Sequence, residues 1–191
     1  HGAGEVMHRI ATQTTYPSWG YAIKRGATTL WESWDGSEET QLSRNMKLFG
    51  SVGKFFYKEI AGIQTETVGF RRITLRPRCF GEIRWAKASV ETVRGRMSVA
   101  WKRTSETFAL EVRVPVGVVV DVYLPKMGGE AVCVLESGCL ISEGQENGSV
   151  DSSTKTTDPD VSGKWQYKDD DVHPRAVISS GFYSFNLSRL Q

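Results

Sequence analysis

The spacing of apolar residues changes near residue 65 and divides the chain into two parts. Before this point apolar residues recur at helical intervals, and after it they alternate with polar residues. The clearest helix is predicted over residues 45–61, where apolar side chains repeat on one face at 3.6 residues per turn; they are Leu48, Val52, Phe55, Phe56 and Ile60. Gly62 is expected to end this helix.

Two shorter helices are predicted upstream of this one. The first covers residues 5–11, and the second covers residues 17–25, with Pro17 at its first position and Gly26 as its stop. Three helices within about 62 residues cannot enclose a hydrophobic core of their own. We therefore expect them to turn apolar side chains toward another part of a larger protein or toward the second half of this chain.

From residue 70 onward the alternating pattern predicts strands. Residues 108–114 alternate strictly, so their apolar side chains point to one side of a sheet. Arg94 and Gly95 are expected to form a hairpin turn between two strands. About eight short strands with regular turn signals are typical of an antiparallel β-sandwich. The predicted fold class is therefore α+β, with N-terminal helices followed by that sandwich, and the strands cover residues 70–76, 87–93, 96–103, 108–114, 118–124, 131–135, 176–180 and 181–187.

Composition and charge argue against several classes of partner and site. The chain has 191 residues with 24 Lys and Arg against 22 Asp and Glu, so the net charge of +2 predicts neither a nucleic acid nor a membrane partner. No apolar run approaches the roughly 20 residues of a membrane-spanning helix. The three cysteines lack CxxC spacing, which argues against a zinc site and a disulfide scaffold. Buried thiols are the favoured interpretation, and a bridge between Cys133 and Cys139 stays open as the alternative.

Residues 142–172 are polar and lack periodicity, which predicts an exposed insertion in the sandwich around Trp165 and Tyr167. The run of aspartates at residues 169–171 is expected to be solvated, because a metal site needs ligands that converge from several directions. The three histidines are scattered, and no GxSxG, P-loop or HExxH motif occurs. We therefore predict no metal and no cofactor.

One cluster of aromatic residues and a carboxylate remains as a candidate site. It contains Trp19, Trp31, Glu32 and Trp34. This combination suits a sugar, because aromatic rings stack on the apolar faces of pyranoses while carboxylates bond hydroxyls or act as acid and base. Glu32 is expected near the N-terminus of a helix, where the dipole stabilises the ionised carboxylate that a general base requires. The alternative is that Glu32 is a cap or surface residue and that the tryptophans belong to the core.

Five segments carry a resemblance to a known family. They are ATQTTYPSWGYAIKRGATTLWESWDG (residues 11–36), LFGSVGKFFYKEIAGI (48–63), GFRRITLRP (69–77), WAKASVETVRGRMSVAWK (85–102) and VYLP (122–125). In this order they resemble segments of bacterial and fungal α-L-rhamnosidases, family 78 of the glycoside hydrolases. The resemblance implies an (α/α)6 catalytic barrel followed by a C-terminal β-sandwich. Its last barrel helices would be residues 1–66, and the sandwich would be residues 67–191.

The resemblance also implies the chemistry of an inverting glycosidase that hydrolyses terminal α-L-rhamnosides. One glutamic acid protonates the leaving oxygen while a second glutamate activates water, with the two carboxyl groups about 6.5–9.5 Å apart. The family's general base lies in a TTxWE motif, whose glutamate is Glu32 here, and its general acid lies in an upstream barrel segment that this chain does not contain. Trp31, Trp34 and Trp19 become candidates for sugar contacts. Met46 stands where the family has a histidine that contacts rhamnose, and a methionine cannot donate that hydrogen bond.

These observations predict a C-terminal fragment of such a hydrolase, inactive alone, whose full-length parent acts on a rhamnose-containing glycan or glycoside. The alternative is a non-catalytic carbohydrate-binding or interaction module derived from that family. In that case exposed aromatic side chains of the sandwich, such as Trp165 and Tyr167, would contact the glycan, whereas Trp85 and Trp101 are expected in the core. Self-association through the exposed faces of the barrel helices is a further prediction.

Overall fold

A computed structural model describes residues 3–36, 42–65, 67–125, 131–136, 139–145 and 175–189 of the chain. The predicted insertion residues Trp165 and Tyr167 and the aspartates at 169–171 lie outside the described residues, as do the side chains of Cys133 and Cys139. The chain divides into two compact units. The helical unit contains His1–Ile60 and Phe80–Glu82, and the strand unit contains Ala61–Cys79 and Ile83–Gln191.

The helical unit contains helices at the three places that the apolar pattern predicts. Helix α1 covers Gly4–Thr12 and helix α2 covers Trp19–Lys24. The third helical segment changes its winding along its length: a 3₁₀ turn at Lys47–Gly50 leads into helix α3 at Ser51–Phe55, which continues as a π turn at Phe56–Ile60. Gly62 follows this segment with φ +83°, as a residue that ends a helix requires.

Helix α2 begins later than the sequence predicts, because Ser18 and not Pro17 sets its start. Ser18 is buried, and its hydroxyl accepts a hydrogen bond from the Tyr21 N–H at 2.8 Å while it donates to the Gln13 carbonyl at 2.6 Å. This is an N-cap that also fastens α2 to the residue following α1. The predicted stop at Gly26 is confirmed, since Gly26 has φ +89° and its N–H bonds to the Ile23 carbonyl.

The predicted apolar face of the third segment is only partly buried. Val52, Phe55 and Ile60 are buried, whereas Leu48 is 66% exposed and Phe56 is 44% exposed. A uniform α-helix would place all five apolar residues on one face, but the change from 3₁₀ to α to π winding turns Leu48 and Phe56 off this face while Ile60 stays buried. Phe55 instead packs against Phe80, with 5.4 Å between the ring centroids.

The strand unit contains two sheets, which confirms the predicted α+β class with a C-terminal β-sandwich. The smaller sheet has the order β1-β2-β6-β9, and the larger sheet has the order β3-β4-β5-β10-β7-β8. Within the described residues the strands are β1 Ile63–Thr65, β2 Arg72–Leu75, β3 Trp85–Thr92, β4 Gly95–Arg103, β5 Thr107–Val114, β6 Val119–Tyr123, β7 Ala131–Glu136, β8 Cys139–Gln145, β9 Arg175–Ile178 and β10 Gly181–Arg189.

Three details of the sheets differ from the sequence-based expectation. Strands β2 and β6 pair in parallel, although the neighbouring pairs of both sheets are antiparallel. Strands β1 and β8 were not expected, and β8 reaches into the start of the predicted polar insertion at residue 142. The hairpin turn between β3 and β4 is confirmed, but its two loop residues are Val93 and Arg94, since Thr92 pairs with Gly95.

The alternation of side chains in the larger sheet builds the core. On β5 the predicted inward residues are buried: Phe108, Leu110, Val112 and Val114. Trp101 is also buried, as expected, and its ring stacks on Phe108 with 5.8 Å between centroids. The expectation that Trp85 belongs to the core is wrong, because Trp85 is 66% exposed. Its partner in the register is Lys102, so it lies on the opposite face of the sheet from Trp101.

A salt bridge links the parallel pair of strands in the smaller sheet. The guanidinium of Arg72 on β2 donates to both carboxylate oxygens of Asp121 on β6, from Nε at 2.6 Å and from Nη2 at 3.0 Å. The Asp121 side chain is only 5% exposed, whereas that of Arg72 is 49% exposed. The carboxylate therefore depends on its partner far more than the guanidinium does.

We predict that Arg72→Ala destabilises the chain by about 3–5 kcal/mol, because it leaves a buried carboxylate without its guanidinium partner. Asp121→Asn should cost less, about 1–2 kcal/mol, because the half-exposed guanidinium can turn to water. Urea unfolding measures both changes. The control is Arg96→Ala, which breaks the exposed pair with Glu91 at 3.5 Å and should cost less than about 1 kcal/mol. An Asp121→Asn variant less stable than Arg72→Ala would contradict this account.

Burial raises the pKa of the Cys79 thiol, and the nearby charge of Arg103 opposes this only in part. A raised pKa means less thiolate at a given pH, so alkylation of Cys79 should be slow at pH 8. We predict that the rate of iodoacetamide labelling of the Cys79 peptide, followed by mass spectrometry, rises with pH to a midpoint above about 8.5, the ordinary thiol pKa. The same peptide in urea should recover the ordinary midpoint, and equal midpoints in both conditions would refute the prediction.

Candidate active site

The candidate glutamate lies in an irregular segment that is held by a distant part of the chain. Between Leu30 and Gly36 the described backbone forms bends and no helix. Two backbone hydrogen bonds fasten it: the Glu32 N–H donates to the Ser43 carbonyl at 2.8 Å, and the Met46 N–H donates to the Leu30 carbonyl at 2.7 Å. The expectation that Glu32 lies at a helix N-terminus is therefore wrong.

The Glu32 carboxylate contacts a backbone donor and not a helix terminus. Its Oε2 accepts a hydrogen bond from the Ser43 N–H at 2.8 Å. Glu32 and Ser43 thus exchange two bonds, one through the backbone of Glu32 and one through its side chain. The side chain is half-buried, and in the part of the chain that the structure describes its Oε1 accepts no hydrogen bond. One carboxylate oxygen is therefore held by the backbone, and the other has no hydrogen-bond partner among the described residues.

Arg44 holds the neighbouring Trp31 in place. Its guanidinium lies over the Trp31 ring at 5.7 Å from the centroid and also donates to the Gly36 carbonyl at 3.2 Å. The Thr29 hydroxyl donates to the Arg44 carbonyl. Gly36 has φ +59°, and a Cβ at this position would collide with the Trp31 ring. Only glycine therefore lets the chain turn this close to the indole.

Aromatic rings line a cavity next to this segment. Trp34 stacks on Phe49 with 4.1 Å between centroids, and Trp19 meets the Trp34 ring edge-on at 4.8 Å. These three rings, Trp31, the chain at residues 27–30 and Ser33 line a mostly apolar cavity of about 350 Å³. The indole Nε1 of Trp19 is buried and has no hydrogen-bond acceptor among the described residues.

The structure places the predicted site residues close together, some of them around the cavity and the others in the backbone pairing beside it. Trp19, Trp31 and Trp34 all line the cavity. Glu32 and Met46 do not line it and belong to the backbone pairing beside it. Met46 is half-buried and immediately precedes the 3₁₀ turn of the third helical segment. The arrangement combines an anchored carboxylate, an adjoining aromatic cavity and a buried indole N–H without an acceptor among the described residues.

Three residues of this region were not identified as site residues from the sequence. Phe49 is not among the residues of the predicted apolar helix face, although it stacks on Trp34. Ser43 acts through its backbone, and no side-chain pattern can reveal a backbone donor 11 residues away from Glu32. Arg44 could have been found only as the one cation in the segment that precedes the third helix, which is a weak signal.

Metal chemistry has no donor set in the part of the chain that the structure describes. Within it, no group of three His, Cys, Asp or Glu side chains is arranged to hold a metal ion. None of the helices described is long and apolar enough to span a membrane.

Two family descriptions match adjoining parts of the chain. Residues 1–60 match the bacterial α-L-rhamnosidase six-hairpin glycosidase domain, and residues 62–136 match the bacterial α-L-rhamnosidase C-terminal domain. An α-L-rhamnosidase of Streptomyces avermitilis is 37% identical over 131 residues, which are 65% of this chain and 13% of that protein. One from Formosa agariphila is 30% identical over 140 residues, which are 70% of this chain and 15% of that protein. The chain thus spans about a seventh of the curated relatives it matches.

Solved structures give the same result. The α-L-rhamnosidase from Dictyoglumus thermophilum superposes with a TM-score of 0.79 and 31% identity over 98% of this chain and 19% of its own. The Streptomyces avermitilis α-L-rhamnosidase, solved in complex with L-rhamnose, superposes with a TM-score of 0.74 and 29% identity over 97% of this chain and 16% of its own. The chain corresponds to a C-terminal part of these enzymes, with part of the six-hairpin glycosidase domain followed by the C-terminal β-sandwich domain. It therefore belongs to the bacterial α-L-rhamnosidase family.

Proposed function

We propose that this chain serves as the C-terminal part of a larger enzyme that hydrolyses terminal α-L-rhamnosides with inversion, and that Glu32 is its general base. The observation that carries the proposal is the state of the Glu32 carboxylate, with Oε2 held by the Ser43 N–H and Oε1 unbonded among the described residues. In this proposal residues 1–66 complete the catalytic barrel and residues 67–191 form the sandwich.

The geometry suits a base that activates water. A general base must hold its acceptor oxygen where a water can reach it, and the Ser43 N–H holds the Glu32 carboxylate through Oε2. The Ser43 bond also limits rotation of the side chain, so Oε1 keeps one position toward an incoming water. In an inverting enzyme this water attacks the anomeric carbon from the face opposite the leaving group. The general acid on the other side would come from an upstream barrel segment, as the family resemblance implies.

The aromatic cavity supplies the second half of the proposal. Its volume of about 350 Å³ lies within the range of small-ligand pockets. A deoxysugar presents apolar C–H faces to Trp31 and Trp34 and hydroxyls to polar groups. The Trp19 ring lines the same cavity, and its buried Nε1–H has no acceptor among the described residues. We therefore assign Trp19, Trp31 and Trp34 to substrate contacts. The Streptomyces avermitilis relative was solved with L-rhamnose, which is a ligand of the same class.

The chain alone should lack activity. It spans 13–15% of the two curated relatives described above, so most of a catalytic barrel would have to come from elsewhere. Loss of a general acid lowers the rate by about 10²–10⁴, and loss of the walls that orient the substrate removes proximity as well. Apolar side chains of the helical unit are exposed in this chain, among them Ile23 and Leu48. In the full-length parent the rest of the barrel would cover these apolar faces. Self-association of the isolated chain through the same faces stays a prediction.

We predict that Glu32→Gln in the full-length parent lowers kcat for an aryl α-L-rhamnoside by about 10²–10⁴ with little change in KM, because the amide cannot accept the proton from water. The matched control is Glu5→Gln, an exposed carboxylate of the same unit, which should leave kcat unchanged. The isolated 191-residue chain should show no hydrolysis above its own Glu32→Gln variant. Full activity of the Glu32→Gln parent would remove Glu32 from the proposed role.

We also predict that Met46→His in the parent raises kcat/KM for the same rhamnoside by about fivefold, mainly through a lower KM. A histidine restores one hydrogen-bond donor to the sugar, and one such bond contributes about 1 kcal/mol. Met46→Leu keeps the apolar character of the side chain and serves as the control, with no gain expected. If the histidine and leucine variants behave alike, Met46 does not occupy a sugar-contacting position.

A further inference from the structure

The larger sheet has a second face that the core does not use. Along β3, β4, β5 and β10, every other side chain points away from the buried residues. We call this surface the outer face. The strand register places its residues in three rows: Trp85, Lys102, Ala109 and Asn186; Lys87, Ala100, Glu111 and Ser184; and Ser89, Ser98, Arg113 and Phe182. Four strands at about 4.8 Å spacing make this platform roughly 14 Å wide.

Trp85 projects from one corner of the outer face. It is 66% exposed although it lies on the edge strand of a regular sheet. Its cross-strand neighbour is Lys102, its neighbour along the strand is Lys87, and the small side chain of Ala100 lies diagonally beside it. A ring with small and flexible neighbours offers its flat side to a ligand.

Positive charge surrounds this ring. Lys87 and Lys102 are both exposed, and neither forms an ion pair with a carboxylate in the described part of the chain. Arg113 is exposed on the third row of the same face. The part of the chain that contains these side chains is also basic, since residues 61–125 contain 11 Lys and Arg against six Asp and Glu. Two ammonium groups next to a stacking ring form a site for a flat apolar surface that also carries negative charge.

Short polar side chains complete the platform. Ser98, Ser184 and Asn186 lie between the two corners that carry Trp85 and Phe182, which is 67% exposed. Hydroxyl and amide groups can both donate and accept hydrogen bonds. They therefore match the closely spaced hydroxyls of a saccharide better than they match an apolar protein surface.

We propose that the outer face binds a glycan chain that carries carboxylate groups, that is, a chain containing uronic acid. One pyranose stacks its C–H face on the Trp85 ring, and Lys87 and Lys102 bond the carboxylate of that residue or of the next one. The chain then continues across the sheet over Ala109 toward Asn186. This site is separate from the proposed general base, requires no hydrolysis, and would hold a polymeric substrate by its uronate residues.

A nucleic acid fits the outer face less well, although it also combines rings with negative charge. A nucleic acid strand carries a phosphate about every 3.4 Å. The outer face also carries the exposed carboxylates of Glu91 and Glu111, and Arg96 is already paired with Glu91 at 3.5 Å. Such a mixture of charges repels a dense polyanion but leaves room for a chain whose carboxylates are spaced by whole sugar residues.

Isothermal titration of the 191-residue chain with a short oligogalacturonate tests the proposal. We expect saturable binding that weakens as NaCl is raised from 0.05 to about 0.5 M, because screening shortens the reach of exposed charges. Trp85→Ala should weaken binding about tenfold. The Lys87→Ser/Lys102→Ser variant should bind more weakly still and lose most of its salt dependence. An oligogalactan of the same length, which has no carboxylates, should bind at least tenfold more weakly than the oligogalacturonate.

Matched controls separate the site from general effects of charge and exposure. Lys24→Ser/Lys54→Ser removes the same charge from exposed positions of the helical unit, and Tyr57→Ala removes an exposed aromatic ring there. Both should leave the dissociation constant within about twofold of the unaltered chain, and all variants should keep its Tm. Absence of binding, equal binding of the neutral chain, tighter binding of an oligothymidylate, or insensitivity to Trp85→Ala would each overturn the proposal.

Discussion

The larger sheet depends on a single constraint, the register of β5 between its two neighbours. Residues of β5 pair with β4 on one side and with β10 on the other, over six and eight positions. Because side chains alternate, this register decides at once which residues are buried and which form the outer face. A slip by one residue would bury Glu111 and Arg113 and expose Leu110 and Val112. Burial of Trp101 against Phe108 makes that slip costly, so the core also fixes the position of Trp85.

The helical unit depends on caps and paired loops, since its helices are too short to be stable through their own hydrogen bonds. Helix α2 has six residues and is held by the buried hydroxyl of Ser18. The segment around Glu32 has no regular structure and is held by its exchange of bonds with Ser43. A carboxylate positioned by the backbone of another segment moves only if that segment moves. The hydrogen bonds that join Leu30 to Met46 and Glu32 to Ser43 therefore set the position of the proposed base, and no single helix does so.

Periodic features of the fold could be predicted from the sequence, and features set by pairing between distant residues could not. The alternation of residues 108–114 predicts β5 and its buried side correctly, because period and burial are linked by geometry alone. The helix stop at Gly26 follows from its positive φ. The environment of Glu32 has no periodic signal, since its partner is a backbone N–H 11 residues away. Trp85 is expected in the core because it alternates with apolar neighbours, but the strand register opposes this. Val90 pairs with the buried Met97, and Trp85 lies on the other side of the strand.

The net charge of +2 says little about binding partners, because an excess of basic residues in one part of the chain is offset by an excess of acidic residues in another. Residues 61–125 contain 11 basic and six acidic side chains, whereas residues 126–191 contain six basic and ten acidic side chains. Exposed charges act on a ligand over about 10 Å at 0.1 M salt. A ligand on the outer face therefore responds to Lys87, Lys102 and Arg113 and hardly at all to the charge of the whole chain. Low net charge argues against uniform attraction to a polyanion, and it is compatible with a local basic surface that combines with an exposed ring to select a sparsely charged glycan.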